Sequence, residues 1–199
     1  MDERDVYRAK MAMQSAMQKG PMKVALIIGA ILVFFLFLQP WSRVGPGERG
    51  VVLNFGAVQE NVRGEGLHFR IPVMQEVVLM DVKVQKAMTE ATAASADLQE
   101  VSSQVALNYH VIPDRANIIY QTVGMGFKER IIDPAIREVL KGVTARYTAE
   151  ELITKRAMVS EAMRASLTER LRVHNIAVDA FSITAFSFSR AFTEAIEAK

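Results

Sequence analysis

Fifteen consecutive residues without a polar side chain, Val24 to Leu38, stand apart from the rest of the chain. Twelve of the fifteen are Leu, Ile, Val or Phe, so the run is apolar on every face, unlike the one-sided helix of a soluble core. As a helix it reaches about 22 Å at 1.5 Å per residue, short of the roughly 30 Å hydrocarbon core of a bilayer. Extended to residues 22–41 it has about 20 residues, and the length fits. The expected anchor therefore has Lys23 snorkelling at one end, Leu26, Ile31, Phe35 and Leu38 in lipid, and Trp41 at the far interface. The twelve large apolar side chains, at about −0.3 to −0.6 kcal/mol each, favour insertion by roughly 4–7 kcal/mol. A cleaved signal peptide can have a similar apolar stretch. The acid-rich start at Asp2, Glu3 and Asp5 and the lack of a small-x-small site in Gln39-Pro-Trp-Ser42 argue instead for a retained anchor.

After the span, Val44-Gly-Pro-Gly47 reads as a turn-rich exit. Gly50–Phe55 reads as a strand ended by Gly56, and Leu67–Ile71 as a short one closed by Pro72. Val77–Gln85 reads as a strand with Val78, Met80, Val82 and Val84 on one face. The clearest alternation sets Val101, Ser103, Val105, Leu107, Tyr109 and Val111 against Ser102, Gln104, Ala106, Asn108 and His110, the pattern of a half-buried antiparallel strand.

From Pro113 the period changes. A short helix spans Arg115–Val123, and a longer one runs Phe127–Ala145 with a kink or restart at Pro134. Thr148-Ala-Glu-Glu151 matches a capping box opening a helix to about His174, with Leu152, Val159, Met163, Leu167 and Leu171 as its core stripe. Ile176–Phe186 returns to strand pattern, and a last helix starts at Ser189 with Phe192, Ala195, Ile196 and Lys199 on one side. Strands, then helices, then a returning strand predict an α+β fold, helices packed on an antiparallel sheet. The expected divisions are a short N-terminal segment (1–21), the transmembrane helix (22–41), the domain (44–187) and the start of a C-terminal helix (188–199). That helix stops in mid-pattern, and one so short is marginal alone in water. The expectation is that it continues or leans on a partner, with Phe192, Glu194, Ile196 and Lys199 as subunit contacts.

Charge refines the topology. Arg4, Arg8, Lys10, Lys19 and Lys23 precede the span, while only Arg43 and Arg49 follow closely. Basic residues favour the cytoplasmic side, so the N-terminus is expected in the cytoplasm and the domain across the membrane. Residues 24–199 hold 24 − 5 = 19 basic and 22 − 3 = 19 acidic side chains. A neutral domain gives no electrostatic footprint for nucleic acid.

Candidate chemistry is sparse. The chain has no cysteine and three separated histidines, His68, His110 and His174, which argues against a metal centre. Gly64-x-Gly66 and Gly124-x-Gly126 lack the third glycine of a phosphate loop. Ser182, Ser187 and Ser189 lack a nucleophile-elbow setting. Glu150 and Glu151 are accounted for by the first turn of a helix, with Lys155 as an i,i+4 partner. No catalytic, cofactor-binding or metal-binding residue is assigned.

Five stretches in order resemble the prohibitin family of the stomatin/prohibitin/flotillin (SPFH, or band 7) superfamily. They are 44–52 (Val-Gly-Pro-Gly-Glu-Arg-Gly-Val-Val), 64–72 (Gly-Glu-Gly-Leu-His-Phe-Arg-Ile-Pro), 96–101 (Ala-Asp-Leu-Gln-Glu-Val), 146–156 and 188–199. The resemblance implies a non-enzymatic scaffold: an anchor, an SPFH domain, then a coiled coil, with many subunits in a ring or cage. It implies membrane lipids, further subunits and a membrane AAA+ protease as partners, and no cofactor. The acid-containing N-terminus is unlike an Arg-rich transit peptide, which points to a bacterial inner membrane, or the mitochondrial inner membrane in a eukaryote. Two other classes are carried: a monomeric membrane-tethered ligand- or lipid-binding domain, which requires an apolar pocket, and a tethered hydrolase, which requires a polar pocket with perturbed ionisable groups.

Overall fold

A computed structural model of the chain describes residue 4 and residues 26–34 and 39–188. Residues 26–34 are helical (α1) and exposed along their length. No helix among the described residues is long and apolar enough to cross a membrane. Lys23, Phe35 and Leu38 of the expected anchor lie outside the described residues, as do Phe192, Glu194, Ile196 and Lys199 and the helix expected from Ser189.

Among the described residues, eight strands form three antiparallel sheets. β1 (Trp41–Val44) pairs with β4 (Gly66–Phe69) as a two-stranded ribbon. β2 (Glu48–Asn54) lies between β3 (Ala57–Arg63) and β5 (Gln75–Asp81). β7 (Glu100–Val111) lies between β6 (Gln85–Ala94) and β8 (Ile176–Phe188). Gly50, the third residue of β2, is where these pieces close up. A Cβ there would meet Val77 Cγ1 at 3.0 Å and Val44 Cγ2 at 3.1 Å, tighter than packed interiors tolerate without a shift.

The alternation read in β7 is real: Val101, Ser103, Val105, Leu107, Tyr109 and Val111 are all buried. Helices cover that face. α2 (Ala116–Thr122) follows a 3₁₀ turn over Pro113–Arg115. A π-helical turn, Lys128–Ile132, leads into α3 (Asp133–Thr144), so of the kink or restart expected at Pro134 the structure has a restart. α4 (Ala149–Thr154) and α5 (Arg156–Arg172) complete the layer. One cluster unites Val51, Leu53 and Met80 with Val139, Met163, Leu167, Leu171 and Ile176, so all three layers share a core. Burial pushes the Tyr109 phenol up, helped by Asp133 and Glu129. Its hydroxyl donates to Gln85 Oε1 at 3.2 Å and its ring meets Phe127 edge-on at 6.5 Å.

The structure adds and corrects several elements. Trp41 opens β1 instead of closing a helix, so the first strand begins inside the expected anchor. The strand expected over Val77–Gln85 ends at Asp81, where the Lys83 N–H donates to the Asp81 carboxylate at 2.9 Å, and Val84 is exposed. β3 and β6 were not foreseen. The single helix expected from Thr148 is kinked at Lys155 (φ −105°, ψ 27°) into α4 and α5. Backbone bonds from Lys155 N to Glu151 O and from Val159 N to Lys155 O run through the kink, so the core stripe stays in register. Beside it, Arg156 donates to Ile183 O at 2.6 Å and stacks 5.5 Å over the Phe186 ring, fixing α5 to a bulge in β8.

Candidate functional site

Two of the three histidines have structural partners. His68 Nε2 lies 2.7 Å from Gly64 O, and His110 Nδ1 lies 2.8 Å from the Asp179 carboxylate across β7 and β8. The capping box is complete, with Thr148 Oγ1 accepting from Glu151 N and Glu151 Oε2 from Thr148 N, both at 3.2 Å. Lys155 Nζ and backbone Thr148 hold the Glu151 carboxyl below its ordinary range. Asp97 adds a third acceptor: it takes the Ser95 hydroxyl at 2.6 Å and the Ala149 N–H at 3.0 Å, and these bonds lower its carboxyl. No group of three or more His, Asp or Glu among the described residues could hold a metal ion.

A different feature marks out one end of the domain. Facing residues of an antiparallel ribbon share a side, as do positions i and i+2. The pairs Trp41↔Phe69 and Arg43↔Leu67 therefore put Trp41, Arg43, Leu67 and Phe69 on one face of β1–β4. Ser42, His68 and the buried Val44 take the other. The chain beyond β4 carries Ile71, Val73 and Met74, all exposed. The β2–β3 turn joins it, because Phe55 N donates to Met74 O at 2.9 Å. Exposure is 46% for Trp41, 64% for Phe69, 73% for Leu67, 76% for Phe55 and 91% for Val73. Five large apolar side chains in water at one end of a domain mark an interaction surface.

The backbone there is strained to present them. Asn54↔Ala57 closes β2–β3 on the two residues Phe55 (φ 47°) and Gly56 (φ 84°). Such a turn needs positive φ at both positions, which Asn-Gly supplies most easily; here the first is Phe. Val73, also at positive φ (70°), is β-branched, an outlier in that region. Each such residue costs about 1–3 kcal/mol. The loop is fixed by Gln75 N to Ile71 O (2.8 Å) and Ile71 N to Gln75 Oε1 (3.1 Å). Strain is thus retained where it exposes apolar groups, and such outliers cluster at functional sites.

This end adjoins the apolar N-terminal segment. Arg70 N donates to Pro40 O at 2.7 Å and Arg70 Nε to Gln39 O at 3.2 Å, which clamps the ribbon to the residues that follow the run. Of the expected anchor positions, Leu26 and Ile31 lie exposed on α1. Trp41 lies on the ribbon face. Sequence reasoning missed Phe55, Leu67, Phe69, Ile71 and Val73. Their signal was available: an apolar residue where Asn-Gly belongs, and an apolar run broken by Pro72.

An antiparallel α+β domain with helices packed on one sheet and an exposed apolar end is what these elements define. The profile of the SPFH domain / Band 7 family matches residues 42–199. The chain is 38% identical over 174 residues to "Prohibitin-2, mitochondrial" of Arabidopsis thaliana, covering 87% of this chain and 60% of the relative. It is 35% identical to "Prohibitin-2" of Mus musculus over 176 residues, covering 87% and 59%. It is 38% identical to "Prohibitin 1" of Drosophila melanogaster over 154 residues, covering 77% and 56%. The chain belongs to the SPFH domain / Band 7 family, and within it to the prohibitins. It spans about 60% of the length of the curated relatives it matches.

Proposed function

We propose that this protein is a membrane-anchored scaffold. Its SPFH domain rests on the bilayer beside the N-terminal anchor, and its subunits assemble into rings or cages that organise the membrane and modulate access of a membrane AAA+ protease. The observation that carries the reading is the exposed apolar end around Trp41, Phe55, Phe69 and Val73, held out by strained backbone and clamped to the residues following Val24–Leu38. Water penalises such a surface; a bilayer interface rewards it by about 1.5–3 kcal/mol for each large apolar side chain fully withdrawn from water. Trp41 also suits the headgroup level, where amphipathic rings concentrate. Charge bias puts the N-terminus in the cytoplasm and the domain outside, in a bacterial inner membrane or its mitochondrial counterpart. The relatives' printed mitochondrial names are compatible with the latter.

Trp41 is the only tryptophan, which gives a direct probe. With the full chain in vesicles, acyl-brominated phosphatidylcholine is expected to quench Trp41 strongly, and a water-borne quencher weakly. Strong aqueous quenching with none from the lipid would remove the membrane-contact reading.

A further inference from the structure

Four strands lie at the margins of the two three-stranded sheets: β3, β5, β6 and β8. A margin leaves backbone N–H and C=O groups open to another strand, and folded proteins blunt it with bulges, charges or a covering element. Three of the four are blunted in these ways. β8 departs from register twice along β7, between Gln104 and Val105 and between Asn108 and Tyr109. β3 is bulged against β2, and Asn117 of α2 occupies its Gln59 and Glu60 carbonyls. β5 has seven residues, and its only charged side chains, Glu76 and Asp81, are both acidic and exposed, so two copies of it repel.

β6 has none of these protections. It keeps ten consecutive residues in unbroken register with β7, from Gln85↔Tyr109 to Ala94↔Glu100, and it contains neither proline nor glycine. Among the described residues no strand pairs with its other side, to which alternate backbone groups point. Its alternation sends Ala87, Thr89, Ala91 and Ala93 into the interior, and Thr89 is tied to Asp133 of α3 at 3.2 Å. The opposite face exposes Lys86, Met88, Glu90, Thr92 and Ala94.

The charges on that face select the strand that fits. Two antiparallel copies of one strand meet about a two-fold axis, and the residue on the axis faces itself. With Met88 on the axis, Lys86 of each copy lies opposite Glu90 of the other, and the two thioether side chains meet between the ion pairs. An axis at Lys86 or at Glu90 sets like charges face to face, and an axis at Ala87 or Thr89 pairs neither charge. We propose that β6 is a self-pairing edge: two copies of this chain join through antiparallel β6 strands, in the register that sets Lys86 against Glu90 across Met88. The inference names one contact of the scaffold proposed above, and it rests on the self-association in that reading and not on the lipid contact.

The chain has no cysteine, so introduced cysteines report the register without background. With the full chain in its membrane and copper–phenanthroline as oxidant, Met88→Cys should give a disulfide-linked dimer in high yield. Met158→Cys, on α5 at similar exposure (59% against 55%), measures random collision and should give several-fold less. Lys86→Cys or Glu90→Cys alone should also stay low, because each lies four residues, about 13 Å, from its own copy. Co-expressed, these two chains should crosslink to each other, with the second Lys86–Glu90 pair retained. On the Met88→Cys background, Lys86→Glu or Glu90→Lys should each lower the yield several-fold, and the two together should restore it, a recovery that a folding defect does not give. A Met88→Cys yield equal to that of Met158→Cys, or losses without recovery in the double reversal, overturns the β6 pair; a large particle mass then leaves the scaffold standing. Crosslinking in a particle no heavier than a dimer leaves the pair standing and removes the larger assembly.

Discussion

At the scale of single residues, Phe55 and Val73 occupy backbone conformations that their side chains disfavour. A substitution that relieves the strain should therefore stabilise the fold and weaken the surface. Phe55→Asn supplies the residue that a positive-φ hairpin position prefers and removes an exposed ring. We expect a higher unfolding midpoint, read by thermal unfolding, together with weaker lipid quenching of Trp41. A lower midpoint would contradict the account of the turn. Asn117 illustrates a structural requirement of the opposite kind. Its Nδ2 donates to Gln59 O and Glu60 O, at 3.3 and 2.9 Å, where β3 bulges against β2 between Val51 and Leu53. Asn117→Leu should cost about 1–3 kcal/mol in denaturant unfolding, because carbonyls once bonded lose their donor. That bulge also explains why β3 escaped detection. Its half-buried valines, Val58 and Val62, are separated by a stretch out of register, so no period of two survives in Ala57–Arg63.

Elements were legible in proportion to the size of their buried side chains. β7 and the α4–α5 stripe carry Val, Leu, Met and Tyr inward and could be read directly. β6 buries Ala87, Thr89, Ala91 and Ala93; these small residues let α3 lie close but give no hydrophobic alternation. The kink at Lys155 was hidden too, because the residues that anchor it, Ile183 and Phe186, are distant in sequence. The core stripe itself gives a direct expectation: Leu167→Ala should lose about 2–5 kcal/mol in denaturant unfolding. Helix α4 is held at its start by Thr148, Glu151 and Asp97, and Thr148→Ala should cost about 1 kcal/mol by the same assay. The two carboxyls also set a pH dependence. Both are lowered in the fold from ordinary values of 3.8 and 4.5, so the unfolded chain takes up protons first. Their stabilising effect is complete above about pH 5 and declines as pH falls through the lowered values. In acid titrations of stability, Asp97→Asn with Glu151→Gln should flatten that part of the profile, and an unchanged slope would contradict the assignment.

For the whole molecule, the sequence pattern allowed the fold class, the apolar run and the family to be read. The apolar end was legible only in its parts: Phe55 before Gly56 and the apolar run broken by Pro72 are visible in sequence, but strand pairing alone brings these turns beside Trp41. With this end proposed as the bilayer contact, the remainder of the domain is left for contacts between the subunits of a scaffold. The particle mass of the protein extracted from its membrane in mild detergent decides between a scaffold and a lone module. A discrete particle many times the mass of one chain is expected. A monomer or dimer under those conditions would contradict it and return attention to a membrane-tethered ligand-binding domain.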